Sequence, residues 1–217
     1  SALPYDWSGP GTLSANGSTL TWKVPSSFSR GTPTTATIGL TVTEKFTEGS
    51  VQHQQTTASP YGVRVHDSQN EILSAGEDFL LLFSDSSKTT NEVLHNFSTT
   101  CDSGKGRANE ASDTDRSHVQ FIQNFAAARV VRRPPATFNF VRQGCFPAGR
   151  NQPNTDACSS YNVHWEVTYK SDGHREVTDG IDYVSAVLEN DRWLLCHSDF
   201  IGTSRRGLTG ELTAVSW

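Results

Sequence analysis

Apolar and polar residues alternate along much of the chain, and this period of two predicts β-strands. The clearest strand spans Thr37 to Thr43 and places three apolar side chains on one face: Ile38, Leu40 and Val42. Its other face carries threonine and glycine, so we expect that side to meet water. The segment Val51 to Thr57 is polar at nearly every position and predicts an edge or exposed strand.

Further strands are predicted in the first hundred residues. Thr12–Ala15 and Ser18–Val24 flank an Asn16-Gly17 pair. This arrangement favours a β-hairpin with a type I′ turn, because both central residues tolerate positive φ. Tyr61 to Val65 alternates again, and the short apolar run from Phe79 to Phe83 predicts another strand.

One helix is predicted near the middle of the chain. Thr99 to Asp115 is rich in Ser, Gly, Asp and Asn, which predicts a long loop or domain linker. N-cap residues at its end, Ser112 to Asp115, precede residues at helical spacing and predict a helix of about four turns. The residues on that spacing are Val119, Ile122, Phe125, Ala126 and Arg129. Val119 to Phe125 also alternates, so a strand is the competing interpretation, and we expect Arg132-Arg133-Pro134-Pro135 to end the helix.

The last eighty residues return to strand patterns. The predicted strands are Ala136–Gly144, Tyr161–Lys170, His174–Glu189, Trp193–Ile201 and Glu211–Trp217. The predicted fold class is therefore mainly β, all-β to α+β, with antiparallel sandwich-like or barrel-like sheets and one central helix. We expect a β-sheet region over 1–98, a loop or linker over 99–115, and a helix plus antiparallel meander over 116–217. The last region is predicted to pack with the first as one compact unit.

The predicted strands of residues 161–202 form an antiparallel meander with the sequence YNVHWEVTYKSDGHREVTDGIDYVSAVLENDRWLLCHSDFIG. This pattern resembles the C-terminal strands of cone-shaped NTF2-like domains. In that family a long curved sheet encloses a small-molecule pocket, so the resemblance implies a pocket in the C-terminal half. The helical first half usual in the family is not predicted by the residues that precede the meander.

The first turn of the meander sets which side chains face each other across two strands. A three-residue loop, Ser171 to Gly173, places Val163 opposite Ile181. A two-residue loop would instead place Glu166 opposite Asp179, and two like charges destabilise a sheet. The three-residue loop is therefore predicted.

Combining this register with a two-residue loop at Asn190-Asp191 brings acidic and histidine side chains to one face. The cluster comprises His164, Asp182, Asp199 and His197, with Asn162 beside them. Two facing carboxylates are unfavourable unless one is protonated, a cation binds or histidine supplies positive charge. One interpretation is a His/Asp acid–base pair or a metal site. The other, which we favour, is a solvated sheet end, so we assign neither a metal nor a catalytic role.

The four cysteines show no Cys-x-x-Cys spacing, and in an oxidising compartment they predict disulfides rather than a zinc or redox motif. Cys145 and Cys158 are the favoured pair, because the proline- and glycine-containing segment between them indicates a loop between two strands. Cys101 and Cys196 are the remaining disulfide candidates. Four cysteines allow three pairings, and all three stay open.

Two sequons, at Asn16 and Asn96, are candidate glycosylation sites. With 11 asparagines and 49 serines or threonines among 217 residues, two such matches are expected by chance. The sequons therefore do not by themselves indicate secretion.

Composition excludes several classes of protein. No apolar run reaches the roughly 18 residues of a membrane-spanning helix. The 18 Lys and Arg against 23 Asp and Glu argue against a nucleic-acid binder. The sequence contains no Gly-x-Ser-x-Gly, His-Glu-x-x-His, phosphate-binding or dinucleotide-binding motif, so we predict no cofactor and no familiar enzyme class.

The leading functional hypothesis is a non-enzymatic recognition or assembly domain, extracellular and either secreted or on a virion surface. Its expected partner is a protein or glycan receptor, and homo-oligomer formation is a further expectation. The second hypothesis is a small-molecule-binding protein, or an enzyme of the lyase or isomerase type, built on an NTF2-like cone. The third is a secreted glycan-binding module.

Overall fold

The computed structural model describes residues 4–25, 28, 33–99, 101, 107–140 and 155–207, without the side chains of 107–112 and 204–207. The protein is mainly β, with 60% strand, 20% helix and three antiparallel sheets, and this confirms the predicted fold class. The chain divides into two compact units, Ser1–Asp67 and Ser68–Trp217, so a boundary falls inside the predicted β-sheet region 1–98. None of the helices within the described ranges is long and apolar enough to cross a membrane.

Among its described residues, the first unit contains five strands in two sheets. They are β1 (Tyr5–Ser8), β2 (Thr12–Asn16), β3 (Thr19–Lys23), β4 (Thr34–Glu48) and β5 (Val51–Val65). One sheet has the order β1-β4-β5, and β2 pairs with β3. The predicted strand Thr37–Thr43 lies inside β4, where Ala36 and Ile38 are buried on the expected face. The two predicted segments that follow it form a single strand, β5.

The hairpin predicted over residues 12–24 is confirmed, but its turn is centred one residue later. Asn16 pairs with Thr19, so Gly17 and Ser18 form the turn. Gly17 has φ 60°, whereas Ser18 is not among the residues with positive φ. Glycine at the first central position is the arrangement of a type II′ turn, and the predicted type I′ turn is wrong.

In the part of the chain that the structure describes, the second unit contains three helices followed by four strands. They are α1 (Ser68–Ser84), α2 (Thr90–Val93), α3 (Arg107–Asn124), β6 (Phe125–Asn139), β7 (Ala157–Tyr169), β8 (Arg175–Glu189) and β9 (Arg192–Gly207). The strands form one antiparallel sheet in the order β6-β7-β8-β9. The largest fully buried apolar side chains of the core between α1, α2 and the sheet are Ile72, Val93, Leu94, Tyr161, Val163, Val184 and Leu195.

Helix α1 replaces the strand predicted over Phe79–Phe83, which is wrong. The buried residues of α1 recur at helical spacing: Ile72, Leu73, Gly76, Phe79 and Leu80. A five-residue apolar run does not by itself distinguish a strand from a buried helix. The apolar residues one and two turns earlier decide in favour of a helix, because they complete a stripe that faces the sheet.

The central helix is present but lies further toward the N-terminus than predicted. Helix α3 begins at Arg107, inside the predicted loop, and ends at Asn124. Three residues assigned to the helix therefore lie in β6: Phe125, Ala126 and Arg129. Pro134-Pro135, expected to end the helix, lies in a β-bulge of β6. That strand is at the edge of the sheet, where a residue without an amide hydrogen is tolerated.

The register predicted between β7 and β8 is wrong by one residue. The connecting loop has four residues, Lys170 to Gly173, and not three. Gly173 has the expected left-handed conformation, with φ 72°. Tyr161 therefore faces Asp182. Because side chains alternate along a strand, a shift of one residue moves the whole set of β8 side chains to the other face relative to β7.

The two-residue loop predicted at Asn190-Asp191 is confirmed, and both residues have positive φ. A bulge between Ser185 and Ala186 then shifts the pairing of β8 with β9. Asp199 consequently faces Tyr183 instead of Asp182. The predicted cross-strand pair of carboxylates therefore does not form, because the bulge redirects the residues beyond it.

A disulfide joins Cys101 to Cys196 and ties the segment after α2 to β9. Both cysteines are buried. Cys158 is also disulfide-bonded. Cys145 lies outside the described residues, and so does the predicted strand Glu211–Trp217, so the pairing of Cys145 with Cys158 stays a prediction.

Removing the Cys101–Cys196 bridge should destabilise the protein strongly. The bridge closes a loop across 95 residues of sequence, and such cross-links typically contribute about 2–5 kcal/mol by restricting the unfolded chain. We expect Cys101→Ala/Cys196→Ala to lower the free energy of unfolding by that amount in urea titrations under non-reducing conditions. An unchanged unfolding midpoint would contradict this.

Candidate functional site

A cavity of about 430 Å³ lies between α1, α3 and the sheet of the second unit. Both helices contribute residues three or four apart, and β7 and β8 contribute alternate residues, because those spacings point to one face. The apolar lining consists of Phe79, Leu80, Phe83, Phe121, Phe125, Trp165, Val167, Tyr169 and Phe200. Its volume falls within the range of small-molecule sites in proteins.

Seven of these side chains are aromatic, and their rings form a continuous series of contacts. The centroid distances are 6.0 Å for Phe79–Phe83, 5.3 Å for Phe83–Phe121, 4.8 Å for Phe121–Phe125, 5.6 Å for Phe121–Trp165, 4.7 Å for Phe125–Tyr169 and 6.3 Å for Trp165–Phe200. The rings are tilted or edge-to-face, the geometry that aromatic pairs prefer. Phe121 touches three of the others and therefore connects the helices to the sheet.

Polar residues line the cavity in two groups. Helix α3 contributes Asp113, Thr114, Ser117, Gln120 and Asn124, and the sheet contributes Glu176, Thr178, His197, Ser198 and Asp199. Glu176 is buried, and its carboxylate accepts hydrogen bonds from the Tyr169 hydroxyl at 3.2 Å and the Thr178 hydroxyl at 3.4 Å. An aromatic surface flanked by polar groups is typical of a binding site that orients its ligand.

A fully buried carboxylate lies next to this cavity. Asp182 has no exposed surface and accepts hydrogen bonds from the Tyr161 hydroxyl at 2.6 Å and the Ser198 hydroxyl at 2.9 Å. Burial raises the pKa of the Asp182 carboxyl to about 6, and the like charge of Asp199 adds to the rise. The two hydrogen bonds and His197 oppose it. Burial and the Asp182 charge also raise the pKa of Tyr161 well above its usual value, so Tyr161 remains a proton donor.

Two glycines allow the close packing around this carboxylate and the cavity. A Cβ at Gly76 of α1 would collide with the Tyr161 hydroxyl, and a Cβ at Gly180 would lie 2.6 Å from ring carbons of Phe200. Such a distance is shorter than van der Waals contact, so only glycine fits at either position without displacing its neighbour. Gly180 therefore fixes the position of one aromatic wall of the cavity.

The predicted cluster of His164, Asp182, Asp199 and His197 is not assembled as one site. Asp182 lies buried on the helix-facing side of the sheet, next to Ser198. His197 and Asp199 border the cavity, but they flank Ser198 in β9, so their side chains point to the other face of the sheet. His164 lies on the opposite face of the sheet, because it pairs with Asp179 and not with a residue of the inner face. The four-residue turn and the bulge in β8 and β9 are the physical reasons.

His164 belongs instead to an ion-pair network on the outer face. Its Nδ1 lies 2.6 Å from Asp179 Oδ1 and its Nε2 lies 3.3 Å from Glu166 Oε1. Arg129 and Arg175 also approach Glu166, at 3.4 and 3.3 Å. The carboxylates here already have cationic partners, and among the described residues no group of three or more His, Cys, Asp or Glu could hold a metal ion.

Sequence reasoning did not identify the aromatic residues of the cavity. One signal was present, because Phe79 and Phe83, and likewise Phe121 and Phe125, are four residues apart, as residues on one helical face are. It was obscured by assigning the first pair to a strand. Glu176 was missed because its burial depends on the register of β8.

The two candidate glycosylation sites differ in accessibility. Asn16 is exposed at the end of β2. Asn96 is buried, its amide nitrogen donates to Asp78 at 2.8 Å and its amide oxygen accepts from Arg192 at 2.7 Å. Since a glycan would be attached at that amide nitrogen, this packing has no room for one at Asn96.

No protein-family model, no curated protein and no solved structure matches the chain. Residues 68–217 contain three described helices followed by four antiparallel strands, whereas sequence reasoning predicted one helix.

The buried Asp182 should make stability depend on pH. Its pKa of about 6 exceeds the ordinary value of 3.8, so the folded protein holds this proton more tightly than the unfolded chain does. The free energy of unfolding should therefore fall by about 2 kcal/mol as pH rises from about 4 to about 6, which is most of the effect of a shift of two pKa units. Asp182→Asn should remove this fall in urea titrations across that pH range.

The control for this experiment is Asp172→Asn. The hydrogen bonds that Asp172 accepts from His174 lower the pKa of this exposed carboxyl, so its titration lies below the pH range examined. The dependence between pH 4 and 6 should survive in this variant. Loss of the dependence in both variants, or in neither, would contradict the assignment to Asp182.

Substituting Gly180 should disturb the cavity wall. The new methyl group of Gly180→Ala would displace the Phe200 ring, and such overpacking typically destabilises by about 1–3 kcal/mol. The matched control is Gly62→Ala in β5, where the nearest atom to a Cβ is Thr35 Cγ2 at an ordinary 3.7 Å. Equal unfolding free energies for the two variants would show that Gly180 has no special packing role.

Proposed function

We propose that residues 68–217 form a binding domain for a small, largely apolar molecule, held in the aromatic cavity. The observation that carries this proposal is the series of seven aromatic side chains around a space of about 430 Å³. A closely packed core leaves few voids larger than a water molecule. A cavity of this size lined by aromatic rings is therefore better explained by a ligand than by imperfect packing.

The arrangement of polar groups supports the same function. They occur on the α3 side, where Ser117 and Gln120 are exposed, and on the sheet side, where Glu176 and Ser198 lie. The rings between them supply the apolar contact. A ligand with an apolar body and at least one polar end would satisfy both parts of the lining.

The resemblance of the meander to NTF2-like strands agrees with this proposal, since it implies a small-molecule pocket in the C-terminal half. The Cys101–Cys196 disulfide supports a location in an oxidising, extracellular compartment, which belongs to the proposal. Composition led us to expect a protein or glycan receptor as the partner. The aromatic cavity favours a small molecule instead, and the small-molecule function is therefore the one that we propose.

Filling the cavity should abolish ligand binding. The neutral dye N-phenyl-1-naphthylamine fluoresces strongly in apolar surroundings and serves as the probe. Ser117→Trp places a large side chain at a cavity-lining position of α3, whereas Val119→Trp is the matched control at an exposed position outside the lining. We expect saturable dye binding by the wild type and Val119→Trp, and at least a tenfold weaker affinity for Ser117→Trp.

Two results would count against the proposed function. One is the absence of saturable dye binding by the wild-type protein. The other is equal binding by both tryptophan variants, which would place the dye elsewhere on the surface.

A further inference from the structure

A hydroxyl group at the cavity is connected to the buried carboxylate of the second unit. Ser198 lines the cavity, and its side chain lies on the helix-facing side of the sheet. The Ser198 hydroxyl donates to Asp182 Oδ1 at 2.9 Å, and the Tyr161 hydroxyl donates to Asp182 Oδ2 at 2.6 Å. Tyr161 and Asp182 are fully buried, whereas Ser198 is half-buried. Ser198 is therefore the member of this network that a ligand can reach.

The carboxylate fixes the direction of the Ser198 hydroxyl group. A serine hydroxyl has one hydrogen to donate and two lone pairs with which to accept. The hydrogen of Ser198 is directed at Asp182, and no residue in the described ranges donates to Ser198 Oγ. A hydroxyl that donates to a charged acceptor is polarised by it and becomes a stronger acceptor itself. Toward the cavity, Ser198 therefore presents an acceptor and not a donor.

On the premise that the cavity binds a small molecule, we propose that the polar end of the ligand is a hydrogen-bond donor, either a hydroxyl group or an N–H of the amide or indole type. Ser198 Oγ accepts this hydrogen bond. Phe200, two residues further along the same face of β9, supplies apolar contact beside that oxygen. A ligand whose polar group can only accept finds no donor at Ser198.

The surroundings of the buried pair determine when the carboxylate is ionised. The charged or titratable groups that act on Tyr161 and Asp182 are Glu77 of α1, Arg132 of β6, and His197 and Asp199 of β9. Glu77 and Arg132 form an ion pair at 3.0 Å and act on Tyr161 with opposite signs. His197 and Asp199 likewise oppose each other in their effect on Asp182. Burial is therefore the dominant influence, and it raises the pKa of Asp182 to about 6.

Protonation of Asp182 reverses the direction of the Ser198 hydroxyl group. Because Tyr161 donates to Oδ2, a proton bound by Asp182 lies on Oδ1 and is donated to Ser198 Oγ. The hydrogen of Ser198 is then free to turn toward the cavity. Since the pKa of Asp182 is about 6, Ser198 accepts from the ligand above that pH and donates to it below.

Three bicyclic ligands of similar size test this inference. Indole carries a hydrogen-bond donor, 1-indanone an acceptor and indane neither, and all three are uncharged between about pH 5 and 8. Each is titrated against protein loaded with N-phenyl-1-naphthylamine, and displacement of the dye is measured. At about pH 8 we expect Ser198→Ala to weaken indole binding about fivefold, as the loss of one hydrogen bond does, and to leave indane binding unchanged. Comparing each ligand between variants cancels its own hydration.

The matched control is Ser160→Ala. Ser160 lies on the outer face of β7 and shares one hydrogen bond with the Thr137 hydroxyl at 2.6 Å. The control therefore also loses a serine hydroxyl and one hydrogen bond, but away from the cavity. It should keep the wild-type affinities for all three ligands.

A pH series provides a second test that needs no variant of Ser198. As pH falls from about 8 to about 5, wild-type affinity for indole should fall about fivefold relative to indane, and affinity for 1-indanone should rise. In Asp182→Asn the amide oxygen accepts from Tyr161, so the amide nitrogen donates to Ser198. This variant should favour 1-indanone at every pH, and its ratio of affinities should not change with pH.

The outcomes separate this inference from the proposed function. If the dye binds but Ser198→Ala binds indole as the wild type does, Ser198 does not hold the ligand, although the binding function stands. If the ratio of indole to 1-indanone affinity changes with pH in Asp182→Asn as it does in the wild type, Asp182 does not control the direction of the hydroxyl. If neither the dye nor any bicyclic ligand binds, the proposed function itself fails.

Discussion

The pairing of Tyr161 with Asp182 across β7 and β8 is the constraint on which the second unit depends. It determines which side chains of both strands face the helices, since alternate residues follow from any one pair. It also places a carboxyl group inside the core, where it needs hydrogen-bond donors. Tyr161 and Ser198 supply them. Helix α1 can approach this network closely because Gly76 has no side chain there.

The same pairing explains why the cavity exists beside a well-packed core. Around Asp182, small side chains and hydrogen-bonded groups occupy the space between the sheet and the helices. Further along the sheet, the inner positions of β7 carry large rings, Trp165 and Tyr169, which α3 meets with Phe121. Large rings held at tilted angles bridge the space between helix and sheet without filling it. The polar centre and the aromatic cavity are thus two consequences of one strand register.

On the outer face of the sheet, charged residues lie next to residues of opposite charge. His164, Glu166 and Asp179 lie there with arginines from β6 and β8, so each carboxylate has cationic neighbours. An exposed network of this kind adds little stability, because water screens it. The network instead favours the observed strand register, since a shift of register by one residue would bury these charges. Among the described residues of the inner face, the carboxylates of Asp182 and Glu176 accept hydrogen bonds from tyrosine hydroxyls.

The local sequence pattern predicted four features correctly, because alternation and turn chemistry act over a few residues. These are the mainly β fold, the hairpin over residues 12–24, the strand around Ile38 and the Asn190-Asp191 turn. Helix α1 was not predicted, since its apolar run has the same local appearance as a buried strand until it packs on the sheet. The candidate site depended on tertiary structure. One extra residue in the turn before β8 and one bulge in β9 decided which of the predicted site residues share a face, and only long-range packing decides such shifts.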